Sequence, residues 1–187
     1  MLKKVIILLF LSVVSLYAIK EQNIQKTMDN KVRKVLNVLK DKTLSLTQKN
    51  KKNIRIIDDV FDYSTMSKIS LGKRWKSLSQ NEKTQFSNAF EKKIKYSYLD
   101  KLRLYNNEKV IIKKLKKVKP NRITLETQVI GLNETYKVIY LFYKNKHNNH
   151  WYIYDVKLVG VSIIQTYRKQ FSEFLKTKSV KQLIESL

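Results

Sequence analysis

The stretch 109-KVIIKKLKKVKPNRITLETQVIGLNETYKVIYLFYKNKHNNHWYIYDVKL-158 decides the fold. Apolar and polar residues alternate along it, the two-residue period of a strand with one buried face. Three interruptions break the alternation: Pro120-Asn121, residues 131–134 and residues 145–150. Each is turn-length and rich in turn-forming residues. The stretch therefore reads as four strands, at 109–119, 122–131, 135–144 and 151–158. Connections this short require antiparallel neighbours in a meander. The run Val138-Ile139-Tyr140-Leu141-Phe142-Tyr143 is apolar on both faces, as a covered central strand would be.

On either side the period changes to that of a helix. Ile24, Met28, Val32, Val35, Leu36 and Leu39 form one stripe over residues 21–42. A polar stretch at 47–53 leads into Ile54, Ile57, Val60 and Phe61, a second helix. Asp62 is placed to cap a short helix over 64–71, closed by Gly72. Ser79-Gln80-Asn81-Glu82 is a capping box that opens a longer helix carrying Phe86, Phe90, Ile94, Tyr98, Leu102 and Tyr105 on one face. After the strands, Val161, Ile164, Tyr167, Phe171, Phe174 and Leu175 restore a helical stripe, and residues 180–187 extend it. The expected class is α+β: an antiparallel meander of four strands, or slightly more, packed by several helices on one face. With only three glycines and one proline, no segment reads as a linker.

Residues 1–18 stand apart. Lys3 and Lys4 precede a short apolar run, and Ser15-Leu16-Tyr17-Ala18 ends in a small residue suited to cleavage. The run is too short to span a bilayer, so a cleaved export signal is expected, with Leu16 bulkier than ideal near the cut. The remaining 19–187 is the size of one domain with its own core. The chain has no cysteine, which excludes a lipid-anchored cysteine, a disulfide framework and a thiolate metal site. Net charge is +24, or +22 without the two signal lysines. Such an excess suggests a polyanion-binding exported protein as one alternative. Against it, 33 of the 39 basic residues are lysine and they are spread along the chain. Arginine is the usual reader of phosphate and base edges, so no nucleic-acid partner is expected.

Three groups invite a chemical reading. Asp58-Asp59-Val60-Phe61-Asp62 has a spacing that can hold magnesium, yet reads better as surface acids plus a helix cap. His147 and His150 are the only histidines; they sit in a polar turn and supply too few ligands for a closed metal site. Asp155, amid Trp151, Tyr152 and Tyr154, is the acid that a small cone-fold enzyme acting on an apolar substrate would use. The plainer reading is an acid facing a basic neighbour at a strand end. No catalytic residue, metal or cofactor is expected. The eleven tyrosines carry the remaining signal. A tyrosine on an inward stripe needs a partner for its hydroxyl, so the domain supplies many buried partners or leaves an apolar cavity.

Two segments resemble a known family. The first runs from Phe61-Asp62-Tyr63 through Met66 to Leu71-Gly72-Lys73-Arg74-Trp75. The second runs from Trp151-Tyr152-Ile153-Tyr154-Asp155-Val156 through Gly160-Val161-Ser162 to Tyr167-Arg168-Lys169-Gln170-Phe171. Together they are similar to the MlaC (toluene-tolerance auxiliary) family, with its F-D-[FY]-x-x-M, L-G-x-x-W, W-x-x-Y-D-V, G-V-S and Y-R-x-x-F pattern. Ser67, Ser70 and the lysine-rich strand at 109–119 depart mildly from it. The resemblance implies a monomeric periplasmic phospholipid carrier, not an enzyme. Such a carrier works between an outer-membrane lipoprotein complex and an inner-membrane ABC transporter complex. It implies acyl tails held in a cavity between sheet and helices. Motif positions and periodicity together nominate Met66, Ile69, Trp75, Phe90, Ile94 and Tyr98 from the helices. They add Tyr140, Phe142, Tyr154, Val156, Val161 and Ile164 from the sheet and the last helix. Arg74 and Arg168 are expected to meet a head-group phosphate or a partner's acid, or else to pair with Asp62 or Asp155.

Overall fold

The meander forms as the alternation predicts, with one short strand added. In the computed structural model, which describes residues 19–103, 105 and 107–187, five strands follow one another in sequence order and every pair is antiparallel. They are β1 (Lys109–Lys119), β2 (Arg122–Ile130), β3 (Thr135–Lys144), β4 (Trp151–Leu158) and β5 (Val161–Ser162). The expected export signal at 1–18 lies outside the described residues. Among the described residues six α-helices accompany the sheet: α1 (Ile24–Lys40), α2 (Leu46–Ile57), α3 (Tyr63–Leu71), α4 (Gln80–Arg103), α5 (Ile163–Phe174) and α6 (Val180–Glu185).

Local signals set most of the helix starts. The Ser79–Glu82 box opens α4, with Ser79 N–H donating to Glu82 at 2.8 Å and Glu82 N–H to Ser79 Oγ at 3.3 Å. Asp62 caps α3 through Thr65 N–H at 2.8 Å. The second helix differs from expectation. A Ser45–Gln48 box starts it at Leu46, so the polar 47–53 stretch is helical, and it ends at Ile57. Val60 and Phe61 fall beyond it: Val60 closes a 3-10 turn at Asp58–Val60 and Phe61 follows that turn.

Register assigns the two faces of the sheet. Ile123 pairs with Phe142 and Phe142 with Ile153, so all three point inward; Leu125 pairs with Tyr140 on the same face. With Ile24 and Met28 of α1, Trp151 and Val60 they form one apolar cluster. Two isolated bridges, Ile19 to Trp151 and Phe61 to Ile153, cover the β4 edge beside β5. A second cluster lies among the helices, built on Met66, Phe86, Phe90, Ile164, Phe171 and Leu183. Its centre is aromatic: Phe86 and Phe90 stack at 5.6 Å, and Phe171 meets both edge-on at 5.7 and 5.4 Å.

Candidate functional site

The sheet cluster and the helical cluster are separate, and Phe61 packs against both. Its position follows from the chain path: the Asp58–Val60 turn leaves α2, Phe61 bridges to Ile153, and Asp62 begins α3. Phe61 stacks on Tyr63 with ring centres 5.8 Å apart, and partly buried side chains pack against each cluster. Tyr140 and Val156 border the sheet cluster; Tyr63, Ile94 and Tyr167 border the helical one. This border is a seam of apolar side chains between two independently packed bodies.

The seam carries polar groups of a particular kind. Burial pushes the Tyr63 hydroxyl far above its ordinary pKa, and the carboxylates of Asp58 and Glu91 push it further. Burial also raises Tyr98, with a smaller contribution from Tyr140, and it raises Tyr140 itself. These hydroxyls stay neutral, which suits an apolar surround. Lys95 of α4 lies 2.7 Å from Asp58 Oδ1 and 2.6 Å from Glu91, with its ammonium 4.9 Å from the Tyr63 ring centre. Burial alone would lower its pKa; the bonds to Asp58 and Glu91 outweigh that and raise it. Lys31 of α1 holds Asp59 at 2.5 Å and the Ile56 carbonyl at 2.5 Å. The turn before Phe61 is thus tied to α4 on one side and α1 on the other.

The nominated residues divide accordingly. Met66, Phe90 and Ile164 lie fully buried inside the helical cluster, with Ile69 and Trp75 against it. Phe142 lies inside the sheet cluster. Tyr140 and Val156 pack against the sheet cluster and Ile94 against the helical one, and Tyr98 is close enough to Tyr140 for the two hydroxyls to interact. Two positions lie elsewhere. Tyr154 points to the opposite face of the sheet, 6.1 Å from the Tyr143 ring and 5.3 Å beneath Arg122. A register shift between Leu141 and Phe142 leaves it unpaired in β4, so Val156 points inward although strict alternation would put both on one face. Val161 is 61 % exposed; it pairs with Leu158 in β5, and the helix starts only at Ile163, capped by Ser162.

Neither arginine meets the expected acid. Arg74 is exposed in the Gly72–Ser77 3-10 segment. Arg168 lies with its guanidinium over Gly72. Asp62 is taken by Thr65 and Tyr143. Asp155, buried, accepts from Ser162 Oγ at 2.6 Å and from the N–H groups of Val156 and Ile164 at 2.8 and 3.1 Å. These three bonds pin the turn from β4 into α5. The Asp58-Asp59-Asp62 spacing likewise resolves into two ion pairs and a cap. His147 and His150 lie in the β3–β4 turn.

What the fold and the seam define is an α+β domain in which an antiparallel meander and a helical body meet over a greasy, partly buried border. The chain belongs to the MlaC family, whose model, described as MlaC protein, matches residues 29–187. It is similar to the intermembrane phospholipid transport system binding protein MlaC of Haemophilus influenzae. Identity there is 27 % over 120 residues, 63 % of this chain. The match spans 56 % of that relative's length, a little over half. The fold is also that of a phospholipid-binding protein from Ralstonia solanacearum solved in complex with a phospholipid. Its TM-score is 0.74 and its identity 23 %, over 86 % of this chain and 92 % of that one. Among the described residues, no helix is long and apolar enough to cross a membrane.

Proposed function

We propose that this chain binds a phospholipid and holds its acyl tails along the seam between the sheet cluster and the helical cluster. The observation that carries the reading is that the apolar interior forms two bodies with Phe61 packed against both. Tails entering there exchange one apolar surface for another, so parting the bodies costs little once the lipid is in place. The demand on a carrier is large. Each methylene kept from water is worth about 0.8 kcal/mol, so a two-tailed lipid of roughly thirty methylenes needs more than about 20 kcal/mol of shelter. The border must also release its cargo, and two bodies that can separate serve this better than one fused core.

Membership of the MlaC family, together with relatives described as binding phospholipid, supports the same reading. We extend it to a domain at 19–187 exported by a signal at 1–18. It works in the periplasm as a shuttle between an outer-membrane lipoprotein complex and an inner-membrane ABC transporter complex. In this role the chain is a binding protein, not an enzyme. Arg74 and Arg168, exposed and with no carboxylate partner among the described residues, are proposed to meet a head group or a partner's acid.

The test is to purify the exported protein from membrane-bearing cells, extract it with organic solvent and identify bound lipid by mass spectrometry. Stoichiometric phospholipid is expected; consistently empty preparations would overturn the reading. Ile94→Trp, which fills the seam without entering either cluster's centre, is expected to reduce bound lipid several-fold while the folded circular dichroism spectrum persists.

A further inference from the structure

We propose that the outward face of the sheet is a docking surface for a bilayer bearing anionic head groups. This surface is distinct from the seam. The register that turns Ile123, Phe142 and Ile153 inward turns Lys114, Lys116, Lys119 and Arg122 outward with Ile139 and Leu141. Ile139, Leu141, Tyr152 and Tyr154 join neither apolar cluster, and beside them the Tyr143 hydroxyl reaches the start of α3 at Asp62 and Thr65, where this face ends.

The charge on this face is one-sided. The five strands contain two carboxylates. Asp155 is buried and bonded to Ser162, and Glu126 is paired with Lys137 at 3.1 Å. Arg122 is fixed over the rings of Tyr143 and Tyr154, at 5.6 and 5.3 Å. With Val118, Lys119, Leu141 and Tyr154 it lines a shallow cleft of about 440 Å³.

The type of cation selects the occupant. Specific pairing across a protein interface favours fixed guanidinium forks, and the one arginine here is committed to aromatic rings. Flexible, strongly hydrated lysines suit a surface whose negative charge is diffuse, as at a leaflet of acidic lipid. Tyrosines prefer the head-group level, where the ring is sheltered and the hydroxyl wet. A flat strip of tyrosine and aliphatic side chains rimmed by lysine therefore fits a shallow, reversible membrane contact.

The experiment is sedimentation of the mature chain with vesicles of phosphatidylglycerol and phosphatidylethanolamine, against vesicles of phosphatidylcholine alone. Binding to the acidic vesicles only is expected, weakening about tenfold or more between low and high salt. Lys116→Glu/Lys119→Glu, which faces Thr124 and Arg122 in register, should weaken it by at least about tenfold. Lys169→Glu/Lys181→Glu makes the same charge change on α5 and α6 and should change it less than about threefold. Absence of binding to acidic vesicles, or equal loss in both variants, overturns the proposal. Retention on immobilised polyglutamate without vesicle binding also overturns it, in favour of an acidic protein partner. Co-purified phospholipid is measured in parallel. Its retention in the Lys116/Lys119 variant separates docking from carrying; its loss there assigns the effect to the carrier body and overturns the docking claim.

Discussion

Gly72 adopts φ +56° and ψ −125°, a backbone region that a side chain makes costly, and a Cβ there would lie 3.0 Å from Arg168 Nε. The two motif positions, far apart in sequence, explain each other: the guanidinium rests where any other residue would place its first carbon. Gly72→Ala is expected to cost about 1–3 kcal/mol, read as a lower urea midpoint with an unchanged slope. Lys95 makes a different kind of contribution. It is mostly buried, yet its ion pairs reach half-exposed carboxylates, so its effect on stability is modest. Its consequence lies in tying α4 to the turn that leads into Phe61. Lys95→Met should therefore leave the melting temperature within a few degrees while speeding transfer of a fluorescent phospholipid to acceptor vesicles. An unchanged transfer rate would remove Lys95 from control of the seam. At this scale the sequence was partly readable. Tyr154 and Val161 are motif positions, but an unpaired residue in one strand turns the first to the opposite face and a two-residue strand leaves the second exposed. Arg168 was expected to seek an acid, and no periodic signal could indicate that it would lie on a glycine.

Among the elements, Asp155 is a buried acid that links strand to helix. It joins β4 to α5 through Ser162 and two backbone N–H groups. Asp155→Ala leaves those donors without their acceptor and should cost about 2–3 kcal/mol, visible in thermal denaturation. Asp155→Asn, which keeps one acceptor oxygen, should cost less. The four long strands were legible to within a residue because alternation is the physical period of a sheet with one buried face, and the turns between them are short. The start of α2 was missed although Ser45 and Gln48 spell a capping box, because the polar run after them hides any apolar stripe. The seam was only half legible. Helical spacing put Ile94 and Tyr98 on one stripe, but where one apolar body ends and another begins depends on the path of Phe61, a tertiary fact.

For the whole molecule, the buried tyrosines predict a defined alkaline limit. Tyr63, Tyr98 and Tyr140 all have folded pKa values raised above the unfolded value near 10, with burial the leading cause. A raised folded pKa means the unfolded state loses its proton first. The stability these groups contribute is therefore intact below about pH 10 and falls as pH rises beyond it. In an alkaline titration followed at 295 nm, exposed tyrosines should ionise early, while a late fraction should appear only together with loss of the helical signal. A single smooth titration of all tyrosines in the folded protein would contradict this.

The eleven-residue β1 is the outermost strand of the sheet, and six of its residues are lysines. A long marginal strand is a template on which another copy can add its own backbone, the first step of a fibril. Here a second copy would bring its own row of like charges against this one, and two irregularities in the β1 ladder spoil the straight line that stacking needs. The same lysine row thereby opposes the edge-to-edge seeding of crowded copies of the chain.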